Sequence, residues 1–143
     1  MAKKKISSTN RDDIKREMKK AEAQKQDEKN SISTLESEIE ALENLKARLI
    51  AEKDSIGYQK DSLDSWYTST SDWRGDCYNR YLGHITELKT KYSYAYERAD
   101  GRLDDICDEI ARRKNQIEEH NGVLGWLSSR INDLKNEWEK CNN

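Results

Sequence analysis

The chain has 143 residues, enough for one domain, with 38% charged against 34% hydrophobic residues and neither Phe nor Pro; a compact globule needs more apolar material than this to offset its ordering entropy, which leaves disorder or long amphipathic helices. Its 26 basic and 28 acidic residues are mixed along the chain for a net charge of −2, so no broad basic footprint for nucleic acid is present. No apolar stretch reaches the length of a membrane span, and none follows the lysines of MAKKK as a Sec leader would, so the expected compartment is the cytoplasm.

Residues 1–10 are polar and are expected to fray. From residue 32 onward, Ile32, Leu35, Ile39, Leu42, Leu49, Ile56, Leu63 and Tyr67 fall on a 3-4 seam. Lys46, Lys53 and Lys60 occupy the seam positions between them, and the pattern extends weakly backward through Ala21, Met18 and Ile14, where Lys25 and Glu28 spoil it. Spacing of this kind over several heptads is a helical signal that strands and disorder do not imitate. It predicts a first helical arm over about residues 11–68.

Thr68 to Asp72, TSTSD, is the densest cluster of turn and cap residue types in the chain. It predicts a turn at about residues 68–75, with Ser71 or Asp72 supplying an acceptor for the first amides of the next helix.

The second arm, about residues 76–140, is more regular. Tyr78, Leu82, Ile85, Tyr92, Tyr96, Ala99, Leu103, Ile106, Ile110, Ile117, Leu124, Leu127, Ile131, Leu134 and Trp138 keep one register, interrupted by Lys89, Arg113 and His120. Asn121-Gly122 followed by Gly125 is normally a turn signal. The heptad count nevertheless passes through it unbroken, with both glycines on the outer face, which predicts a continuous helix or one kinked near 121–125. The fold class is therefore all-α: a single domain over residues 1–143 forming a long antiparallel two-helix hairpin of coiled-coil type.

The apolar surface is wider than one seam near the turn. Tyr81, Leu88 and Ala95 lie beside the second-arm seam with Tyr94 farther round, and Leu45, Ile50 and Trp66 flank the first. Tyr and Trp combine apolar area with a polar tip, which suits surfaces that are wet alone and buried in a complex. Two readings follow: rings that wrap a thin hairpin, or a docking face for further helices. On the second reading Trp66, Tyr78, Leu82, Ile85, Leu88, Tyr92 and Tyr96 are the candidate partner-binding residues.

No catalytic motif is present: the chain has no Gly-rich phosphate loop, no HExxH, no Gly-x-Ser-x-Gly and no kinase set. Cys77 and His84 come nearest to a dyad, but seven residues along a helix separate them by roughly 10 Å, beyond hydrogen-bond reach. Cys77, Cys107 and Cys141 are odd in number and lack CxxC spacing, which suits reduced thiols, and neither histidine falls at a metal-ligand spacing from them. Neither an enzyme nor a cofactor or metal site is expected.

Trp73-Arg74-Gly75 sits in the predicted turn, the small residue Cys77 follows Gly75 by two, and the aromatic Tyr81 comes eight residues after Trp73. This resembles the WXG family of type VII secretion proteins, whose pattern is Trp-x-Gly in the turn and then a small and an aromatic residue on helix two. The long arms make it more similar to the YwqH-like family, small helical proteins encoded beside LXG-domain toxins. The specific motif covers residues 73–81, and Cys77 stands where the family commonly has Ala. The resemblance implies a non-catalytic adaptor or targeting chaperone that binds the N-terminal helices of an LXG toxin and promotes type VIIb export. A second small helical protein is a further candidate partner, and secretion together with the cargo is a further route. Tyr96 and Asp100 match the Tyr-x-x-x-Asp/Glu export motif, though in mid-helix rather than near its end. The alternatives are a self-associating structural coiled coil, or a WXG-type effector that is itself secreted.

Overall fold

In the computed structural model, which describes residues 8–67 and 75–142, the first helix, α1, runs Ser8–Asp64 and the second, α2, Asp76–Asn142, with a 3₁₀ turn at Ser65–Tyr67 between them. The two helices pack against each other antiparallel, as the sequence predicts. Trp73, Ser71 and Asp72, and most of the predicted turn, lie outside the described residues, as does nearly all of the start expected to fray.

The first arm ends four residues earlier as an α-helix than its periodicity implies, and the cause is local. Ser62 Oγ donates to the Tyr58 carbonyl at 2.9 Å and Ser65 Oγ to the Ser62 carbonyl at 2.7 Å. Hydroxyls that take up carbonyls of the preceding turn compete with the backbone ladder, which here tightens to 3₁₀. Tyr67, the last predicted seam residue, belongs to that 3₁₀ turn.

The expectation that Ser71 or Asp72 caps α2 falls outside the described residues, which resume at Gly75. Gly75 takes the cap position: its carbonyl accepts the first bond, from the Asn79 amide at 3.1 Å, and its φ is +92°. Asp76 in the first turn and Lys140 in the last complement the helix dipole. Between them α2 is unbroken through Gly122 and Gly125, and both glycines are exposed on its outer face.

Each arm presents its predicted seam inward. From Ile14 to Leu63 on α1 and from Tyr78 to Trp138 on α2, every seam position is buried or half-buried, the lysines, Arg113 and His120 included. Arg11 and Cys141 extend the two seams by one step each.

Both helices contribute to two compact units. In the unit of residues 1–39 and 112–143, Ala21, Leu127 and Ile131 form a buried cluster, with Leu134 also buried. Three polar pairs cross between the arms there. Arg113 Nε donates to Glu38 Oε2 at 2.8 Å, His120 Nδ1 meets Glu28 Oε2, and beside the seam Arg130 donates to Glu17 at 2.9 Å. The Arg11 guanidinium lies 5.1 Å from the Trp138 ring centroid, close enough for a cation–π contact. In the unit of residues 40–111 the buried residues are Leu63, Ile85, Ala99 and Ile110.

Candidate partner-binding face

The candidate residues all fall within residues 40–111, where the two edges of the seam differ. In an antiparallel helix pair, the residues that follow a seam position on both arms line one edge, and those that precede one line the other. The first edge is stitched and polar apart from Ile50, which is 40% exposed. Lys89 Nζ pairs with Asp64, which follows Leu63, and Lys53 Nζ with Asp100, which follows Ala99. Lys53 also lies 4.8 Å from the Tyr96 ring centroid. The hydrogen bond that the Lys53 ammonium donates to Asp100 holds it above the usual lysine pKa; desolvation opposes this, and the charge of Asp100 adds to the rise. Gly57 belongs to this edge because the Tyr96 ring covers it: a Cβ there would lie 3.3 Å from Cε2.

The second edge is apolar and open. Tyr81, Leu88 and Ala95 each precede a seam position on α2, at seven-residue intervals. On α1 Leu45 and, in the 3₁₀ turn, Trp66 do so, with the polar Glu52 and Gln59 at the two positions between them. The two arms meet along this edge. Tyr81 Oη donates to the Trp66 carbonyl at 3.3 Å, and Tyr92 Oη donates to Gln59 Oε1 at 2.9 Å. These bonds satisfy polar tips and leave ring and aliphatic surface facing water. Trp66 is 50% exposed, Leu45 43% and Leu88 42%. Large apolar side chains that recur along one edge mark an interaction surface more than scattered ones do.

The sequence-derived candidates therefore divide. Trp66 and Leu88 are presented outward, with Tyr81 half-buried between them. Tyr78, Leu82, Tyr92 and Tyr96 are half-buried seam residues, and Ile85 is 2% exposed and fully used between the arms. Tyr96 and Asp100, the export-motif match, both engage Lys53. Of the turn motif, Gly75 and Cys77 are exposed, Tyr81 lies on the open edge, and Trp73 lies outside the described residues.

Periodicity missed some exposed side chains. Tyr58 and Trp126 are 75% and 64% exposed on outer faces, where no seam pattern singles them out. Val123 precedes the seam residue Leu124, and that spacing was the available signal.

Among the described residues no group of three or more His, Cys, Asp or Glu side chains could hold a metal ion, and no helix is long and apolar enough to cross a membrane. Residues 3–136 match the model of the YwqH-like family. No curated protein and no solved structure matches the chain.

Proposed function

The chain belongs to the YwqH-like family, and from that premise we propose that it is a non-catalytic helical adaptor: it binds the N-terminal helices of an LXG-domain toxin and promotes the toxin's export by a type VIIb system. The observation that carries this reading is the open apolar edge of residues 40–111, where Trp66, Leu88 and Leu45 remain about half exposed although the seam beside them is closed. A self-sufficient hairpin gains nothing from large apolar side chains there, whereas an adaptor uses them once a partner's helices remove them from water. Helix-in-groove recognition needs no pocket and no reactive side chain.

The test is co-expression with the LXG domain encoded beside this chain. Co-purification as a soluble complex through size exclusion supports the adaptor reading. A chain that stays helical and monomeric but never co-purifies with that domain defeats it, and a homo-oligomer that persists on dilution points to structural self-association instead.

A further inference from the structure

The open edge has a charge signature as well as an apolar one. Three residues on from Tyr81, Leu88 and Ala95, along its outer rim, stand His84, Lys91 and Arg98, and three on from Leu45 stands Arg48; all four are exposed. Residues three apart are neighbours on a helix surface, so these groups border the apolar row along its length. The opposite edge is bordered by Asp54, Asp61, Glu97 and Asp104, also exposed. Residues 40–111 hold more acidic than basic residues, so a basic border on the apolar side is a matter of placement and not of composition. Lys91 meets Glu87 at 3.4 Å, but both are largely exposed, and such pairs contribute little and yield readily to a better-placed carboxylate.

We propose that the partner's contribution at this face is an amphipathic helix that lies along the Tyr81–Leu88–Ala95 row and Trp66, with its apolar stripe flanked by carboxylates that meet Lys91, Arg98 and Arg48. This rests on the adaptor reading above and adds to it the face, the orientation along the seam and the charge of the partner. The seven-residue recurrence of the row favours a helix as occupant: a helix packed alongside the pair repeats its own contacts at the same interval. A lipid surface fits less well. Leu88 and Trp66 are half recessed beside the seam instead of projecting.

The experiment uses the full chain and the N-terminal helical segment of the adjacent LXG toxin, with affinity read by calorimetry and helicity by circular dichroism. Leu88→Glu is expected to weaken binding by about tenfold or more, as loss of a central apolar anchor does. The charge reversal Lys91→Glu with Arg98→Glu touches no seam residue and is also expected to weaken it by about tenfold. Raised salt should reduce wild-type affinity more than that of the reversal variant. Ile50→Glu, on the opposite edge, should leave affinity within about twofold, as truncations outside an interface do. A wild-type chain that does not bind the toxin segment defeats the adaptor reading and this inference with it. Binding that survives Leu88→Glu and the charge reversal but fails with Ile50→Glu keeps the adaptor reading and overturns only the face. Wild-type binding to phosphatidylglycerol vesicles that Lys91→Glu with Arg98→Glu abolishes, without toxin binding, assigns the border to a membrane and overturns the inference.

Discussion

Alanine substitutions at the glycines separate a backbone role from a recognition role at the turn motif. Gly75 has φ +92°, and no described atom lies within 4 Å of where its Cβ would stand. An L-residue there meets no described neighbour, so the cost is counted as conformational, about 1–2 kcal/mol for the left-handed region. Gly101 and Gly122 also have open space around a built Cβ, but they sit inside α2 with ordinary helical backbone. Alanine is about 1 kcal/mol better than glycine in a helix interior. Gly57 falls between the two: the same helical gain is opposed by a Cβ 3.3 Å from Tyr96 Cε2, a ring edge that must shift by a few tenths of an ångström.

Gly75→Ala should therefore destabilise, Gly101→Ala and Gly122→Ala stabilise, and Gly57→Ala come out near neutral. The span between Gly75→Ala and Gly101→Ala is about 2–3 kcal/mol, which separates their urea midpoints by about 1 M or more. Urea unfolding followed by circular dichroism measures it directly. A Gly75→Ala midpoint as high as that of Gly101→Ala would refute the account of Gly75 as a backbone turn, and would make close approach by another chain the reason for a glycine there. The expected result gives Gly75 a structural explanation and leaves recognition in the motif to Trp73.

Other expectations follow from the same contacts. Leu134→Ala, at a side chain 1% exposed, should cost about 2–3 kcal/mol in urea unfolding, toward the low end for buried leucines because a two-helix seam can close on the space. Asp100→Ala should lower stability by an amount that is constant with pH up to the ordinary lysine value of 10.5 and vanishes as pH rises through the higher folded pKa of Lys53, since the stabilisation is full while both states hold the proton and fades from the point where the unfolded lysine loses it to the point where the folded one does. Unfolding midpoints of both chains between pH 7 and pH 12 check this, and a difference that fades on acidification from pH 9 would contradict it. Trp73→Ala should weaken toxin-segment binding more than it lowers helicity; equal loss of both would make Trp73 purely structural.

The seam was legible because 3-4 spacing specifies which side of a helix leaves water, and burial follows that choice from Ile14 to Leu63 and from Tyr78 to Trp138. Even Lys25, Glu28 and the interrupting lysines turn inward, as position alone required. Arg11 was not legible because a charged residue gives no apolar signal, and only the Trp138 ring opposite makes its place sensible. The cross-arm pairs were hidden for another reason. Glu38 and Arg113, Glu28 and His120, and Glu17 and Arg130 are 75, 92 and 113 residues apart, and their meeting depends on the register between arms. Each arm's periodicity is silent on that register, which the turn sets. The open edge was half legible: Tyr81, Leu88, Ala95, Leu45 and Trp66 stood out as surplus, but surplus alone groups Ile50 with them although it follows a seam position where they precede one, which puts it on the other edge.

The polar seam bears on the proposed adaptor role as well as on register. Among the described residues the buried hydrophobic set holds eight side chains and the buried polar set none, so Lys46, Lys53, Lys60, Lys89 and His120 sit at seam positions yet keep access to water. A seam filled with leucine at those positions would be more stable, and it would also pair with a second copy of itself as readily as with another partner. Charged groups at matching heights, such as Lys53 with Asp100 and Lys89 with Asp64, disfavour shifted or intermolecular pairings, because each shift leaves a charge against apolar surface. Specificity gained in this way lowers stability, and the same chain leaves apolar area uncovered along one edge of residues 40–111. A partner that covers that edge restores burial the hairpin lacks, so binding should raise the thermal midpoint of the chain through linkage. Modest stability alone and gain on binding are then two consequences of one arrangement: charges on the inner seam and aromatic and aliphatic side chains beside it.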